Sequence, residues 1–191
     1  MSDKKIIALT GLKGSGKDTA YNAIRGTYKQ FRFATALKKM IIEMLVQAGY
    51  QRHEARLRVE NSKLKEEPMD LLDGKTPREI MQSLGTEWGR DMVAQDIWVN
   101  ITMRAVNKAY RQTCCITDLR FPNELKAVRA AGGKVIRIVR PGIDLGVGSA
   151  HPSEAFISQM EPDAEIINDR SKAHLYRQMV ATINTLDGVT S

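Results

Sequence analysis

Apolar positions along this chain come in two patterns that take turns. Short, nearly unbroken apolar runs bounded by charge or glycine occur in KKIIALTG (4–11), FRFAT (31–35), CCITDL (114–119), KVIRIVR (134–140) and AEIIN (164–168). Runs of this length and composition predict strands buried on both faces. Between them, apolar residues recur every three or four positions, which predicts helices. These cover Lys17 to about Gly26, ALKKMIIEMLVQAG (36–49), about Asp96 to Gln112, FPNELKAVRAAGG (121–133), and Ser171 to about Leu186. A further helix starts at Thr76, where T-x-x-E with Pro77 forms a capping box with proline at the first helical position. Ile80, Met81, Leu84 and Trp88 mark its apolar face. Gly85 lies inside that helix at a cost of about 1 kcal/mol against alanine, so a ligand base or another helix is expected close by. Residues 50–75 are highly charged and contain Pro68, and read as a helical, solvent-facing excursion with an irregular connection near 66–75.

Strands that alternate with helices predict an α/β fold, here a parallel five-stranded sheet with helices on both faces. Ligands in such sheets sit beyond the carboxyl ends of the strands. Functional residues are therefore expected at Gly11–Thr19, Ala34–Lys38, Asp118–Glu124 and Arg140–Glu154. The 191 residues, 42% of them hydrophobic, suit a single domain with a substantial core. Within it, the pattern sets apart a helical excursion over about 36–112 and a glycine-containing, lid-like segment over about 141–158.

Charge and composition narrow the function. The net charge of +7 fits nucleic acid or a pocket for two polyphosphate ligands. The basic residues are spread along the chain, and aromatic residues make up only 6%. This favours the pocket and argues against a base-stacking platform or stable nucleic-acid binding. No window approaches the ~20 apolar residues of a membrane span. The start of the chain lacks the pattern of a secretory leader, so the expected location is cytoplasmic. Cys114 and Cys115 are adjacent in a strand, point to opposite faces and read as reduced core residues.

The chemistry starts at GLKGSGKDTA (11–20), a glycine-rich loop between a strand and a helix. Gly11, Gly14 and Gly16 allow the backbone to aim several N–H groups inward, and the helix beginning at Lys17 adds its positive end. Lys17 reaches the outer phosphates as a point charge. The next position, usually Ser or Thr on magnesium, is Asp18. A carboxylate there is workable as a ligand of the ion or of its water. It can equally partner a nearby lysine or complement the helix end.

GLKGSGKDTA, FATALKKM, TPREIMQSLGTEWGRDM, DIWVNI, ITDLRFPNE, VIRIVRPG and HPSE, in this order, resemble the blocks of the phage-type deoxynucleoside monophosphate kinases. The resemblance runs from about residue 6 to the last helix, and GKDT with LGTEWGR and D-x-R-x-x-x-E is its specific part. It implies the nucleoside monophosphate kinase version of the P-loop fold. The implied reaction is Mg2+-dependent transfer of the ATP γ-phosphate to a deoxynucleoside 5′-monophosphate, and family members can dimerise. On this reading Gly11, Gly14, Ser15, Gly16, Lys17, Asp18 and Thr19 hold ATP. Lys17, Arg120 and Arg140 are catalytic, with Arg140 preceding the lid-like stretch. Asp18 is the candidate metal ligand, and Asp118, which the resemblance points toward the acceptor, could instead serve the magnesium. Lys13, Leu37, Lys38, Arg78, Gln82, Gly85, Thr86, Arg90, Trp98, Asp118 and Glu124 bind the acceptor. Read from the residues alone, Leu37 and Lys38 follow the second strand, where an acceptor would sit, and Asp118 and Arg120 follow the third, where a metal-side carboxylate or a catalytic arginine belongs. The competing readings are solvated lysines for Lys13 and Lys38, a core residue for Trp98, and a pair capping the strand for Asp118 with Arg120. The competing functions are another small-molecule kinase, such as one resembling dephospho-coenzyme A kinase, and a P-loop ATPase or nucleic-acid-binding module.

Overall fold

The computed structural model describes residues 5–109, 112–143 and 152–188. In chain order its elements are β1 (Ile6–Thr10), α1 (Lys17–Asn22), β2 (Tyr28–Phe31), α2 (Thr35–Gln47), α3 (Arg52–Glu60), α4 (Pro77–Ser83), a π-helix (Leu84–Val93), α5 (Ile97–Lys108), β3 (Thr113–Ile116), α6 (Pro122–Ala130), β4 (Lys134–Val139), α7 (Pro152–Gln159), β5 (Ala164–Ile167) and α8 (Lys172–Leu186). They form two compact units, one built from the chain up to Arg32 and from Met103 onward, the other from Phe33–Thr102. Among the described residues no helix is long and apolar enough to cross a membrane.

The first unit carries a five-stranded sheet in the order β2-β3-β1-β4-β5, parallel throughout. β1 is central and buried along its whole length, as a strand covered on both faces must be. Ile7, Leu9, Cys115, Ile136, Ile138 and Ile166 project from one face onto Ala20 of α1, Ile24 just beyond it, and Leu175, Met179 and Ile183 of α8. Each such aliphatic side chain contributes about 1.5–3 kcal/mol on full burial. The crossover through α1 runs from the centre toward β2, whereas those through α6 and α7 run toward β5. Right-handed connections in opposite directions lie on opposite faces, so both faces carry helices and the fold is the α/β P-loop fold. Cys114 and Cys115 are free and buried, and burial pushes the Cys115 thiol well above its usual range.

Two expected boundaries move. The second strand is Tyr28–Phe31 rather than 31–35. It is an edge strand, and such strands tolerate the exposed Lys29 that interrupts the apolar pattern. Tyr28 anchors it in the core, and Ala34 is already helical as the cap of α2. The helix begun at Thr76 does open on its capping box: Thr76 Oγ1 accepts from the Glu79 N–H at 3.2 Å and Glu79 accepts from the Thr76 N–H at 2.8 Å. It becomes a π-helix from Leu84. The cause is within the second unit, where the Trp98 indole N–H donates to the Gly85 carbonyl at 2.8 Å. A side-chain donor inserted at a helix carbonyl disturbs the regular ladder. The core of that unit joins Leu37, Ile41 and Leu45 of α2, Ala55 and Val59 of α3, and Trp98. Of the lid-like stretch expected over about 141–158, residues 144–151 lie outside the described residues.

Candidate functional site

β1 delivers the chain at Thr10 into the glycine-rich loop, and the loop closes on α1. Gly11, Gly14 and Gly16 all have positive φ. At Gly11 a Cβ would stand 2.3 Å from the Ile138 carbonyl oxygen, and at Gly16 (φ 103°) 2.4 Å from Asn168 Nδ2. Both positions therefore exclude side chains on conformational and steric grounds. Ser15 N–H donates to the Leu12 carbonyl, and Ala20 N–H to that of Gly16. Gly16 is the N-cap of α1 and brings no side-chain acceptor to it. The positive end of α1 therefore faces the loop without a side-chain acceptor from its own cap. Lys17 Nζ donates to the Gly11 and Leu12 carbonyls at 2.6 and 2.8 Å, tying its ammonium to the loop.

The loop borders a cavity of about 390 Å³. Lys17, Arg140, Arg170 and Lys172 put four cations on its lining, against the single carboxylate of Asp18; Asn168 also lines it. Asp169 also pairs with Arg170, at 3.9 Å. A concave surface with this excess of positive charge beside a glycine-rich loop and a helix start recognises a polyphosphate.

Asp18 is largely exposed, and Arg32 Nη2 donates to its Oδ1 at 2.6 Å. Arg32 Nε in turn donates to Thr117 Oγ1 at 3.1 Å, and Gln30 Nε2 donates to the same hydroxyl at 2.9 Å. The partner of Asp18 is thus an arginine at the end of β2, where the sequence pattern had suggested a lysine. Among the described residues no three His, Cys, Asp or Glu side chains gather as a metal cage. The Asp18 carboxylate beside the cavity fits magnesium, which is commonly held by one or two carboxylates together with substrate phosphates.

The other expected residues of this unit lie at strand ends. Lys13 is exposed on the loop. Asp118 and Arg120 are half-buried just beyond β3. Glu124 is buried, and its carboxylate accepts from the backbone N–H groups of Arg120 and Phe121 at 2.8 and 3.1 Å. It secures the turn into α6 and so fixes the backbone that carries Arg120. Arg137 of β4 pairs with Glu165 at 3.3 Å, and Arg140 follows the end of that strand.

Three expected acceptor residues come together in the second unit. Leu37 and Trp98 are core residues, the Trp98 indole holds the Gly85 carbonyl, and a Cβ on Gly85 would lie 3.6 Å from Leu37 Cδ2. That is an ordinary contact with a side chain of α2. A tighter approach occurs one turn later: a Cβ on Gly89 would lie 2.6 Å from the Trp98 ring. Arg78 pairs with Glu66 at 3.4 Å. Lys38, Thr86 and Arg90 are half-buried and Gln82 is exposed.

The sequence reading missed Arg32, Gly89, Asn168, Arg170 and Lys172. Asn168 and Arg170 follow the carboxyl end of β5, and the rule that picked out the ends of the other strands would have found them. Arg32 was hidden by the misplaced second strand.

The model of the deoxynucleotide monophosphate kinase family matches residues 55–179. A protein of Acanthamoeba polyphaga mimivirus that carries the same family name is 31% identical over 193 aligned positions, covering 94% of this chain and 96% of the relative. The deoxynucleoside-5′-monophosphate kinase of Escherichia phage T5 is 32% identical over 98 positions, 49% of this chain and 39% of that protein. Among solved structures, the dephospho-CoA kinase from Campylobacter jejuni covers 96% of this chain and 97% of its own at 18% identity, with a TM-score of 0.45. The family model and the mimivirus relative together establish that this chain belongs to the deoxynucleotide monophosphate kinase family.

Proposed function

We propose that this chain transfers the γ-phosphoryl group of ATP to a deoxynucleoside 5′-monophosphate. An oxygen of the acceptor phosphate forms the new bond to the γ-phosphorus, the bond from that phosphorus to the β–γ bridging oxygen breaks, and ADP and the deoxynucleoside diphosphate leave. The observation that carries the reading is the phosphate loop opening onto a cavity lined by Lys17, Arg140, Arg170 and Lys172, in a chain of this family.

Phosphoryl transfer requires positioning and charge neutralisation more than covalent chemistry from the protein. The loop N–H groups and Lys17 bind the donor phosphates. Arg120 and Arg140 are assigned to the charge on the transferring group. Magnesium, held by Asp18, by Asp118 or by both, would neutralise the phosphate oxygens. The acceptor phosphate is already anionic, so no side chain is required as a strong base. In the second unit, Arg78 and Arg90 supply cations for a phosphate, and Gln82 and Thr86 supply groups that read a base edge. Leu37, Gly85 and Trp98 form the packed framework behind them. Lys13, Asp118 and Glu124 are assigned to the acceptor by resemblance, and Lys38 by its place after the second strand.

The test is ADP formation from ATP and Mg2+ across a panel of deoxynucleoside monophosphates, ribonucleoside monophosphates, dephospho-coenzyme A and DNA. The expected result is turnover that depends on at least one deoxynucleoside monophosphate. Turnover with dephospho-coenzyme A alone, or stimulated by DNA without any acceptor, would refute the proposal.

A further inference from the structure

We propose that Asn168 is the positioning residue of the phosphate loop, which it braces from the end of β5. Three observations converge on it. Its backbone N–H donates to the Val139 carbonyl at 2.7 Å, continuing the pairing of β4 with β5. Its side-chain Nδ2 donates to the Ser15 carbonyl at 2.9 Å, across 153 residues of sequence. The same nitrogen fills the space beside Gly16 that a Cβ there would occupy, 2.4 Å away. Because the partner is a carbonyl oxygen, the amide must present its NH2 to the loop.

The consequence follows from peptide geometry. The Ser15–Gly16 peptide is planar and trans, so its C=O and N–H point in opposite directions. Holding the Ser15 carbonyl on Asn168 turns the Gly16 N–H away from Asn168 and fixes the plane of that peptide. Gly16 has no side chain to restrict it, and Gly14 and Gly11 are equally permissive. A loop this rich in glycine loses much conformational entropy when it closes on a ligand. A brace anchored in the sheet removes part of that cost before the ligand arrives. Asn168 also lines the same cavity as Lys17 and Arg140, so the brace acts where the phosphates bind.

This inference rests on the kinase reading above and predicts a particular division of effects. Asn168→Asp keeps the shape and removes the donor; Asn168→Ala removes the side chain without adding charge. Titration calorimetry with ADP and with ATP should show each variant binding about tenfold more weakly, as loss of one well-placed hydrogen bond would produce. The kinetic loss should fall on the KM for ATP rather than on kcat. The KM for the acceptor and the Tm of the ligand-free protein should stay near those of the wild type. Wild-type affinity for ADP in both variants would overturn the proposal. So would a parallel fall in nucleotide affinity, acceptor affinity and Tm, which would mark Asn168 as a packing residue. A wild-type chain that binds neither ATP nor ADP would overturn the kinase reading itself, and the brace with it.

Discussion

Asp18→Ala separates chemistry from stability because of where Asp18 sits. Its side chain is 78% exposed and its ion pair with Arg32 lies at the surface. Exposed pairs are worth about 0–1 kcal/mol, and a chain of this length shifts its Tm by about 2–4 °C per kcal/mol. The variant should therefore melt within about 4 °C of the wild type. If the carboxylate serves the metal and the donor phosphates, turnover should fall about a hundredfold or more, which is about 2.7 kcal/mol of transition-state stabilisation. Arg32→Met is the control, since it removes the same ion pair and leaves the carboxylate. The assay is steady-state ADP release with saturating ATP, Mg2+ and acceptor, alongside thermal melts. The expected pattern is a large kinetic loss for Asp18→Ala, a smaller one for Arg32→Met, and small Tm changes for both. Turnover within a few-fold of wild type for Asp18→Ala would refute the reasoning and leave Asp18 as a helix-end acid. Equal losses in both single variants and in the double variant would instead make the ion pair the functional unit, and would refute the metal role equally.

Two further predictions concern the framework. Gly89→Ala places a Cβ 2.6 Å from the ring of Trp98, which is 2% exposed and packed in the core of its unit. Overpacking of that kind costs about 1–3 kcal/mol, so the Tm should fall by about 2–12 °C, whereas Gly85→Ala, with its 3.6 Å contact, should melt closer to the wild type; the reverse order would refute the packing assignment. Asp163 ties β4 and α6 together, accepting from the Val135 N–H at 2.7 Å and from Arg129, with Lys134 at 3.5 Å. Burial pushes its carboxyl up, but the Val135 N–H bond and the two cations outweigh this and hold it below its ordinary value. A carboxyl with a depressed folded-state pKa contributes stability that is present above the unfolded-state value of about 3.9 and lost as pH falls through the folded value. Asp163→Asn should therefore lower the urea midpoint at pH 7, by an amount equivalent to about 1–3 kcal/mol, and the gap to wild type should close below about pH 4. A gap that stays constant from pH 7 to pH 3 would refute the charge-based account.

What could be read from the sequence was what the chain writes locally. The phosphate loop spans seven residues from Gly11 to Lys17, and its chemistry depends on backbone freedom and on a helix start, both of which are local. The Thr76–Glu79 capping box is local for the same reason. The contacts that escaped are long-range. Asn168 meets Ser15 across 153 positions, and Arg32 meets Thr117 across 85. Both meetings are produced by the order of the strands. In the sequence β1 Ile6–Thr10 is remote from β5 Ala164–Ile167, but with every strand parallel all five carboxyl ends emerge on one edge of the sheet. Arg32 after β2 and Asn168 after β5 reach the loop region from opposite edges, one at Asp18 and the other at Ser15. The π-helix at 84–93 escaped for a related reason. Its cause is a donor on Trp98, thirteen residues beyond the Gly85 carbonyl it captures, while helical periodicity registers only neighbours three or four positions apart. Gly85 was singled out for its cost, yet the steric requirement falls on Gly89, because the indole that bonds the first glycine lies flat against the second. The two glycines therefore act together: one offers its carbonyl to the tryptophan, and the other clears the space in which the ring must lie for that bond to form.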